Sequence, residues 1–287
     1  MNTKKPLSHR NKEPENGVLY LVGTPIGNLS DISKRALQIL ANVDLIACED
    51  TRQTKKIMNY LNITNNLLSF NQHNSIKKTS KLLKNLEEGK SIALVSDAGM
   101  PGICDPGEDL VKTIKDLGYD VICIPGPCAA IAALVSSGLP SSKFIFEGFL
   151  PKKKIIRDKT ILEISKNQKT TIIYESPHRL KKLLKELQRF CGGSREIEVA
   201  REITKKFEEH TRGDLDYVVE FFKDKEPIGE FTILLRGIEK KENIEVDYEE
   251  LRKELKYLIE IGLSLSAASK YLAKKNKVPK REIYNLY

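Results

Sequence analysis

The sequence predicts an α/β protein of two domains followed by a small helical appendage. Three observations carry that prediction. Short runs of Val, Ile and Leu alternate with segments of helical spacing, the alternation occurs in both halves of the chain, and roughly the last forty residues keep the helical spacing alone. A length of 287 residues agrees with two domains rather than one. The expected division is a flexible tail over 1–16, α/β domains over 17–125 and 126–238, and a helical domain over 239–287.

The first sixteen residues are charged and lack the apolar stretch of a secretion signal. The runs GVLYLV, DLIACE, SIALVS and DVICIP follow, apolar throughout, as strands buried on both faces of a parallel sheet are. Ile32, Ala36, Leu37 and Leu40 recur at helical spacing and mark a crossover helix, with Ser30 placed as its N-cap. Asp105-Pro106-Gly107, ahead of Leu110, Val111 and Ile114, opens another helix. Pro125-Gly126-Pro127 interrupts the pattern and marks the joint between domains. KFIFEGF, TTIIYE, EIEVARE and GEFTILL then repeat the theme with more charge and aromatic character, which predicts a mixed sheet. From Glu239 to Glu250 six acidic residues stand against two basic ones, an acidic linker. Leu251, Leu255, Leu258 and Ile259, then Leu265, Ala268 and Leu272, then Ile283 and Leu286, give three helices separated by turns at Gly262 and Val278-Pro279.

Charge and cysteine usage narrow the function classes. Lys and Arg total 48 against 39 acidic residues, a formal charge of +9. No apolar run approaches the roughly 18 residues of a membrane span. Five cysteines without a C-x-x-C pair read as thiols of a cytoplasmic protein, with neither a disulfide framework nor a bound metal. Two basic clusters stand out: Lys152, Lys153, Lys154, Arg157 and Lys159 directly after Pro151, and the segment from Leu251 to Tyr287 with nine basic and three acidic residues. A nucleic acid or another polyanion is the partner such clusters select, and a solvated surface is an equal alternative on charge alone.

Ligands of open α/β sheets bind beyond the carboxyl ends of the strands. Four loops of this chain fall there: Gly23-Thr24-Pro25-Ile26-Gly27-Asn28, the twelve residues from Ser96 to Gly107, Pro125-Gly126-Pro127-Cys128-Ala129-Ala130, and Tyr174-Glu175-Ser176-Pro177-His178-Arg179. None contains G-x-G-x-x-G, which disfavours an ordinary dinucleotide site. Singly each loop reads as a structural turn; their shared position is the stronger signal. Cys48-Glu49-Asp50-Thr51-Arg52 and Ala200-Arg201-Glu202 put charged groups at strand ends, where a carboxylate can orient or deprotonate a hydroxyl and an arginine can hold phosphate. Helix capping and local ion pairing compete with that reading. Four scattered histidines, His73 among them, assemble no catalytic triad.

Leu19-Tyr20-Leu21-Val22 with Thr24-Pro25-Ile26-Gly27-Asn28-Leu29, Glu49-Asp50-Thr51-Arg52, the Ser96–Gly107 loop, Pro125 to Ala130, Glu147-Gly148-Phe149-Leu150-Pro151 and Tyr174-Glu175-Ser176 together resemble the RNA-modifying branch of the tetrapyrrole methylase superfamily. The resemblance runs from about Gly17 to Gly237 and continues more weakly into the helical tail. It implies two α/β domains with S-adenosylmethionine in the cleft between them, a homodimer, and methyl transfer to the ribose 2′-oxygen of a cytidine in the decoding region of 16S ribosomal RNA, met within the 30S subunit. It further implies that Pro25, Ser96, Asp97, Gly99, Met100, Cys128, Ala129, Tyr174, Ala200 and Thr232 surround the cofactor. Glu49, Asp50, Arg52, Arg201 and Glu202 are the unranked candidates for activating or positioning the ribose hydroxyl, and Lys152, Lys153, Lys154, Arg157, Lys280 and Arg281 those for holding RNA. Two positions depart from the family pattern: Gly23 stands where proline is usual and Met100 where threonine is common. A methylase of a small tetrapyrrole and a non-catalytic RNA-binding protein remain as alternatives, because fold alone does not settle substrate.

Overall fold

The computed structural model describes residues 12–239, 247–276 and 278–287, and the chain divides into two compact units after Ile238. In the first sheet, β1 (Val18–Val22), β2 (Leu45–Cys48), β3 (Leu67–Ser69), β4 (Ile92–Val95) and β5 (Asp120–Ile124) lie in the order β3-β2-β4-β1-β5. Every pairing is parallel. Helices cover both faces. Val18, Tyr20 and Val22 pack with Ala36 and Ile39 of α1 (Lys34–Asn42) and Met58 of α2 (Thr51–Tyr60). Leu19 packs on the other side with Leu82 and Leu86 of α3 (Ser75–Glu87) and Leu110 and Ile114 of α4 (Glu108–Asp116). Coverage on two sides is why the β1 run shows no polar alternation.

The second sheet joins β6 (Phe144–Phe149), β7 (Thr170–Glu175), β8 (Glu196–Arg201), β9 (Glu209–Asp214) and β10 (Phe231–Leu235) in the order β6-β7-β10-β8-β9. Only β6 and β7 run parallel, so the sheet is mixed. Neighbouring residues face opposite layers, as a strand requires. Ile172, Ala200 and Leu234 meet Ala130, Ala133 and Leu134 of α5 (Ala129–Ser137). Ile173, Val199 and Ile233 meet Ile161 and Ile164 of α6 (Lys154–Lys166), Leu180 and Leu183 of α7 (Pro177–Cys191), and Val218 and Phe222 of α8 (Leu215–Lys223). The chain therefore changes sheets at Pro125–Cys128, between β5 and α5.

Two expectations are corrected, and two strands are added. Ser30 is not the cap of α1: it lies inside a short 3₁₀ turn, Leu29–Asp31, capped by the Asn28 side chain, and the Ser33 hydroxyl accepts the Ala36 N–H at 3.0 Å instead. The tail does not stay free up to residue 16, because Glu13 is buried and takes two hydrogen bonds from the Arg35 guanidinium at 2.7 and 2.6 Å. Residues 1–11 lie outside the described residues. Two strands carry no apolar run to reveal them: β3, of three residues, and β9, whose sequence EHTRGD is polar because it edges the sheet.

In the second unit, α9 (Tyr248–Glu260), α10 (Leu265–Asn276) and α11 (Lys280–Tyr284) close on Leu251, Leu255, Ala268, Leu272, Val278 and Ile283. The Asp247 carboxylate opens α9 by accepting the N–H groups of Glu249 and Glu250. Most of the acidic linker, 240–246, lies outside the described residues. No helix among the described residues is long and apolar enough to cross a membrane.

Candidate active site

Two loops at the carboxyl ends of β1 and β4 are stitched together by backbone. Thr24 and Gly99 exchange N–H···O bonds of 2.9 and 3.1 Å, and the Thr24 hydroxyl reaches the carbonyls of Ser96 and Gly99. Gly99 sits at φ +82°, a conformation that disfavours any side chain, and a Cβ there would press on Ile26 at 3.3 Å. Pro25 is buried between these contacts, and the Ser96 hydroxyl turns back onto the carbonyls of Ala98 and Gly99. Both residues shape the loop rather than line its open side.

Across from them stand the second sheet and the start of α5. Tyr174, Thr232 and Ala200 occupy one row on three adjacent strands, since Thr232 pairs with both of the others. Ala200 is fully buried and does not line the cleft. The Tyr174 hydroxyl accepts the Ala130 N–H at 2.9 Å, supplying the cap that the Cys128 side chain leaves unmade. Burial pushes that hydroxyl's pKa up, so it stays a neutral phenol. Phe146 and Phe149 hold the ring, with centroids 5.1 and 5.7 Å away.

A cleft of about 460 Å³ runs between the two walls, within the size range of small-molecule sites. Of the expected cofactor residues, Asp97, Gly99, Met100, Cys128, Ala129, Tyr174 and Thr232 line it. So do residues the sequence reading did not assign: Ile26, Ile103, Cys104, Asp105, Phe149, the Ser176-Pro177 start of α7, Ile203 and Phe231. Cys104, Asp105 and Ser176 sit in loops the sequence marks by Gly and Pro, and Phe149 ends β6 between Gly148 and Pro151. Ile203 has no such signal; it arrives on the turn after β8, where Glu202 and Thr204 both take positive φ.

The charged candidates separate. Glu49 lines the cleft beside Asp97 and Asp105. Burial, then the charges of Asp105 and Asp97, raise the pKa of its carboxyl above the usual value. Burial raises that of Asp105 as well. Asp50 instead caps α2 and binds the Arg52 guanidinium at 2.7 Å, which holds its carboxylate down at about 2. Its N–H donates to Asp97 at 3.1 Å, so it braces the cleft from behind. Arg52 is exposed and outside the cleft lining. Arg201 donates to the Ile228 carbonyl at 2.7 Å, and Glu202 accepts from Lys205 and from the Glu230 N–H. Those two fasten the turn that carries Ile203.

The basic candidates also divide. Lys152, Lys153 and Lys154 are exposed, as are Lys280 and Arg281 in the second unit. Arg157 is a correction: it is buried, 2.6 Å from Glu186 and 3.2 Å from Glu175, and a phosphate could reach it only by breaking those pairs.

Residues 18–218 match the family model of tetrapyrrole (corrin/porphyrin) methylases. The chain belongs to that family. Among its relatives is a ribosomal RNA small subunit methyltransferase I of Synechocystis sp., 45% identical over 270 residues, covering 94% of this chain and 97% of that one. A protein of the same name from Bacillus subtilis is 42% identical over 284 residues, 96% of each chain. Another from Thermotoga maritima is 46% identical over 223 residues, 78% of this chain and 100% of its own. Those 223 residues are too few to hold both the α/β unit and the helical tail. Solved structures share the fold at lower identity. A cobalt precorrin-4 methyltransferase has a TM-score of 0.56 at 18% identity, covering 77% of this chain and 95% of that one. A uroporphyrin-III C-methyltransferase from Thermus thermophilus, complexed with S-adenosyl homocysteine, has a TM-score of 0.54 at 18% identity, covering 75% and 96%.

The residues of the cleft fit the sulfonium cofactor used by methylases. Ile26, Met100, Ile103, Phe149 and Ile203 offer an apolar bed for a purine, and Asp97 and Asp105 offer carboxylates to a cationic group. The first turn of α5 reaches the cleft at Cys128-Ala129, where the positive end of the helix favours a carboxylate.

Proposed function

We propose that this chain transfers a methyl group from S-adenosylmethionine to the ribose 2′-oxygen of a cytidine in the decoding region of 16S ribosomal RNA, within the 30S subunit, as a homodimer. The observation that carries the reading is near-complete coverage, at 42 to 45% identity, by relatives named ribosomal RNA small subunit methyltransferase I. The solved tetrapyrrole enzymes reach only 18%.

When bound, S-adenosylmethionine supplies a methyl group that needs no activation by the protein. The protein's task is then to bind, orient and remove one proton. Met100 and Ile103 lie on the loop wall of the cleft, and Cys128-Ala129, Phe149 and Tyr174 form the wall across from it. Glu49 is the residue we assign to the ribose hydroxyl. It faces the cleft, and its raised pKa brings it closer to neutrality, where a carboxylate is a better base. With S-adenosylmethionine as the methyl donor, Glu49 would take the proton that the ribose hydroxyl gives up as its oxygen accepts the methyl group. For the homodimer, the support is the outer face of α5, where Ile131 and Val135, one turn apart, stand exposed at 45% and 71%.

The test is direct. Calorimetry should detect S-adenosylmethionine binding to the purified chain, and labelled methyl groups should enter 30S subunits but not a porphyrinoid. Ribose-methylation mapping in cells lacking the protein should lose one signal in the decoding region. Transfer to the porphyrinoid instead would overturn the substrate assignment.

A further inference from the structure

α6 and α7 enclose a groove of about 600 Å³ whose cations the mechanism above does not use. Its walls carry Lys154 from α6 and Lys181, Lys182, Lys185 and Arg189 from α7. Lys181, Lys185 and Arg189 recur every fourth residue, so they form one stripe whose backbone positions rise about 6 Å per step along the helix. The two acids of the groove are already engaged. Glu186 takes the buried Arg157 at 2.6 Å and Lys182 at 3.9 Å, and Asp158 lies 3.5 Å from Arg189. Lys154 and Lys185 have no acidic partner among the described residues, and the Lys181 ammonium donates only to the Lys223 carbonyl.

Both walls of this groove start at the cleft. Phe149 and Ser176-Pro177 line the cleft, and Lys154 and Lys181 follow them by five and four residues. Beneath the groove, Arg157 pins α6 to β7 and α7 through Glu175 and Glu186, so the two walls keep one spacing. An excess of unpaired cations on a rigid track leading away from a nucleotide-modifying cleft matches a polyphosphate chain.

We propose that the α6–α7 groove binds the sugar–phosphate backbone of the substrate RNA beside the modified nucleotide. The proposal rests on the RNA reading of the cleft and moves the RNA surface from Arg157 to Lys154, Lys181 and Lys185. These lysines make it a positioning surface, sequence-independent, that acts on RNA affinity and not on the chemical step.

The test uses the full chain carrying Lys154→Gln and Lys185→Gln, against a control with Lys84→Gln and Lys115→Gln on α3 and α4, which removes the same charge elsewhere. Melting temperature and S-adenosylmethionine affinity should be unchanged in both. Binding to 30S subunits, followed from low to moderate salt, should lose roughly 0.7 of log–log slope per removed phosphate contact in the groove variant only. Its KM for 30S subunits should rise about tenfold with kcat within twofold. If wild-type protein methylates 30S subunits and the groove variant matches the control in slope and KM, the groove assignment is wrong and the functional reading stands. If wild-type protein neither binds nor methylates RNA, both fall.

Discussion

Glu49 shows how one carboxylate is set apart from its sequence neighbours. Three charged residues within Glu49–Arg52 look equivalent on paper, yet the end of β2 turns Glu49 into the cleft, gives Asp50 to the α2 cap and leaves Arg52 in solvent. The sequence marked the cluster but not this division, because the rotation of a strand end is decided by what packs behind it. Arg157 is the converse case. It stands four and seven residues before Ile161 and Ile164, on the buried stripe of α6, and that phase was legible beneath the charge run. For Glu49 the pKa shift fixes a sign. A carboxyl raised in the folded chain binds more protons than in the unfolded chain between the two pKa values, so stability falls as pH rises through that window and stays lower above it. Glu49→Gln should therefore melt at the same or a higher temperature at neutral pH, with cofactor affinity retained. Methyl transfer should drop by roughly a hundredfold, within the range of general-base catalysis. The wild-type rate should also fall on acidification at a pH above the ordinary glutamate value of about 4.3. A Glu49→Gln enzyme with normal turnover would remove Glu49 from the chemistry.

At the scale of elements, the loops after β1 and β5 cross so closely that neither tolerates a side chain. A Cβ on Gly23 would stand 2.7 Å from the Gly126 Cα, and one on Gly126 would stand 2.7 Å from the Gly23 Cα. The same Cβ on Gly23 would lie 2.6 Å from the Met100 sulfur. Gly23 and Met100, the two departures from the family pattern, are thus one packing arrangement: the thioether fills space that a side chain at position 23 would need. Gly23→Ala should cost about 1–3 kcal/mol, the usual range for overpacking. Adding Met100→Thr should recover part of that loss and not all, because the Gly126 backbone cannot step aside as a methionine tip can. Denaturant melts of the two single variants and the double variant measure the coupling, and strictly additive effects would show that the sites do not interact. The crossing was legible only as four Gly- and Pro-rich loops at strand ends. Eight of ten strands could be read from apolar runs; β3 was too short and β9 too polar to show. Which loops touch depends on strand order, β3-β2-β4-β1-β5, and the β1 and β5 loops meet because those strands are neighbours despite lying far apart in the chain.

Across the whole molecule, the chain forms two units, each with its own core. The cleft is complete within the α/β unit, since every residue lining it lies between Ile26 and Thr232. The helical unit closes on its own six buried residues, and the Thermotoga maritima relative matches this chain without room for it. Its charge is nevertheless uneven: nine basic and three acidic residues from Leu251 to Tyr287, with Lys280 and Arg281 exposed on α11. A chain ending at Ile238 should fold cooperatively and bind S-adenosylmethionine with unchanged affinity, because neither the cleft nor the cores of the two sheets draw on the tail. Its affinity for 30S subunits should fall, and the salt dependence of that affinity should flatten by roughly 0.7–0.9 of slope for each phosphate contact removed. The opposing account makes the tail a stability or association element. It predicts an unchanged salt slope together with a lower melting temperature or an altered molecular mass, so melting, sedimentation and a salt titration on the same truncated protein decide between them.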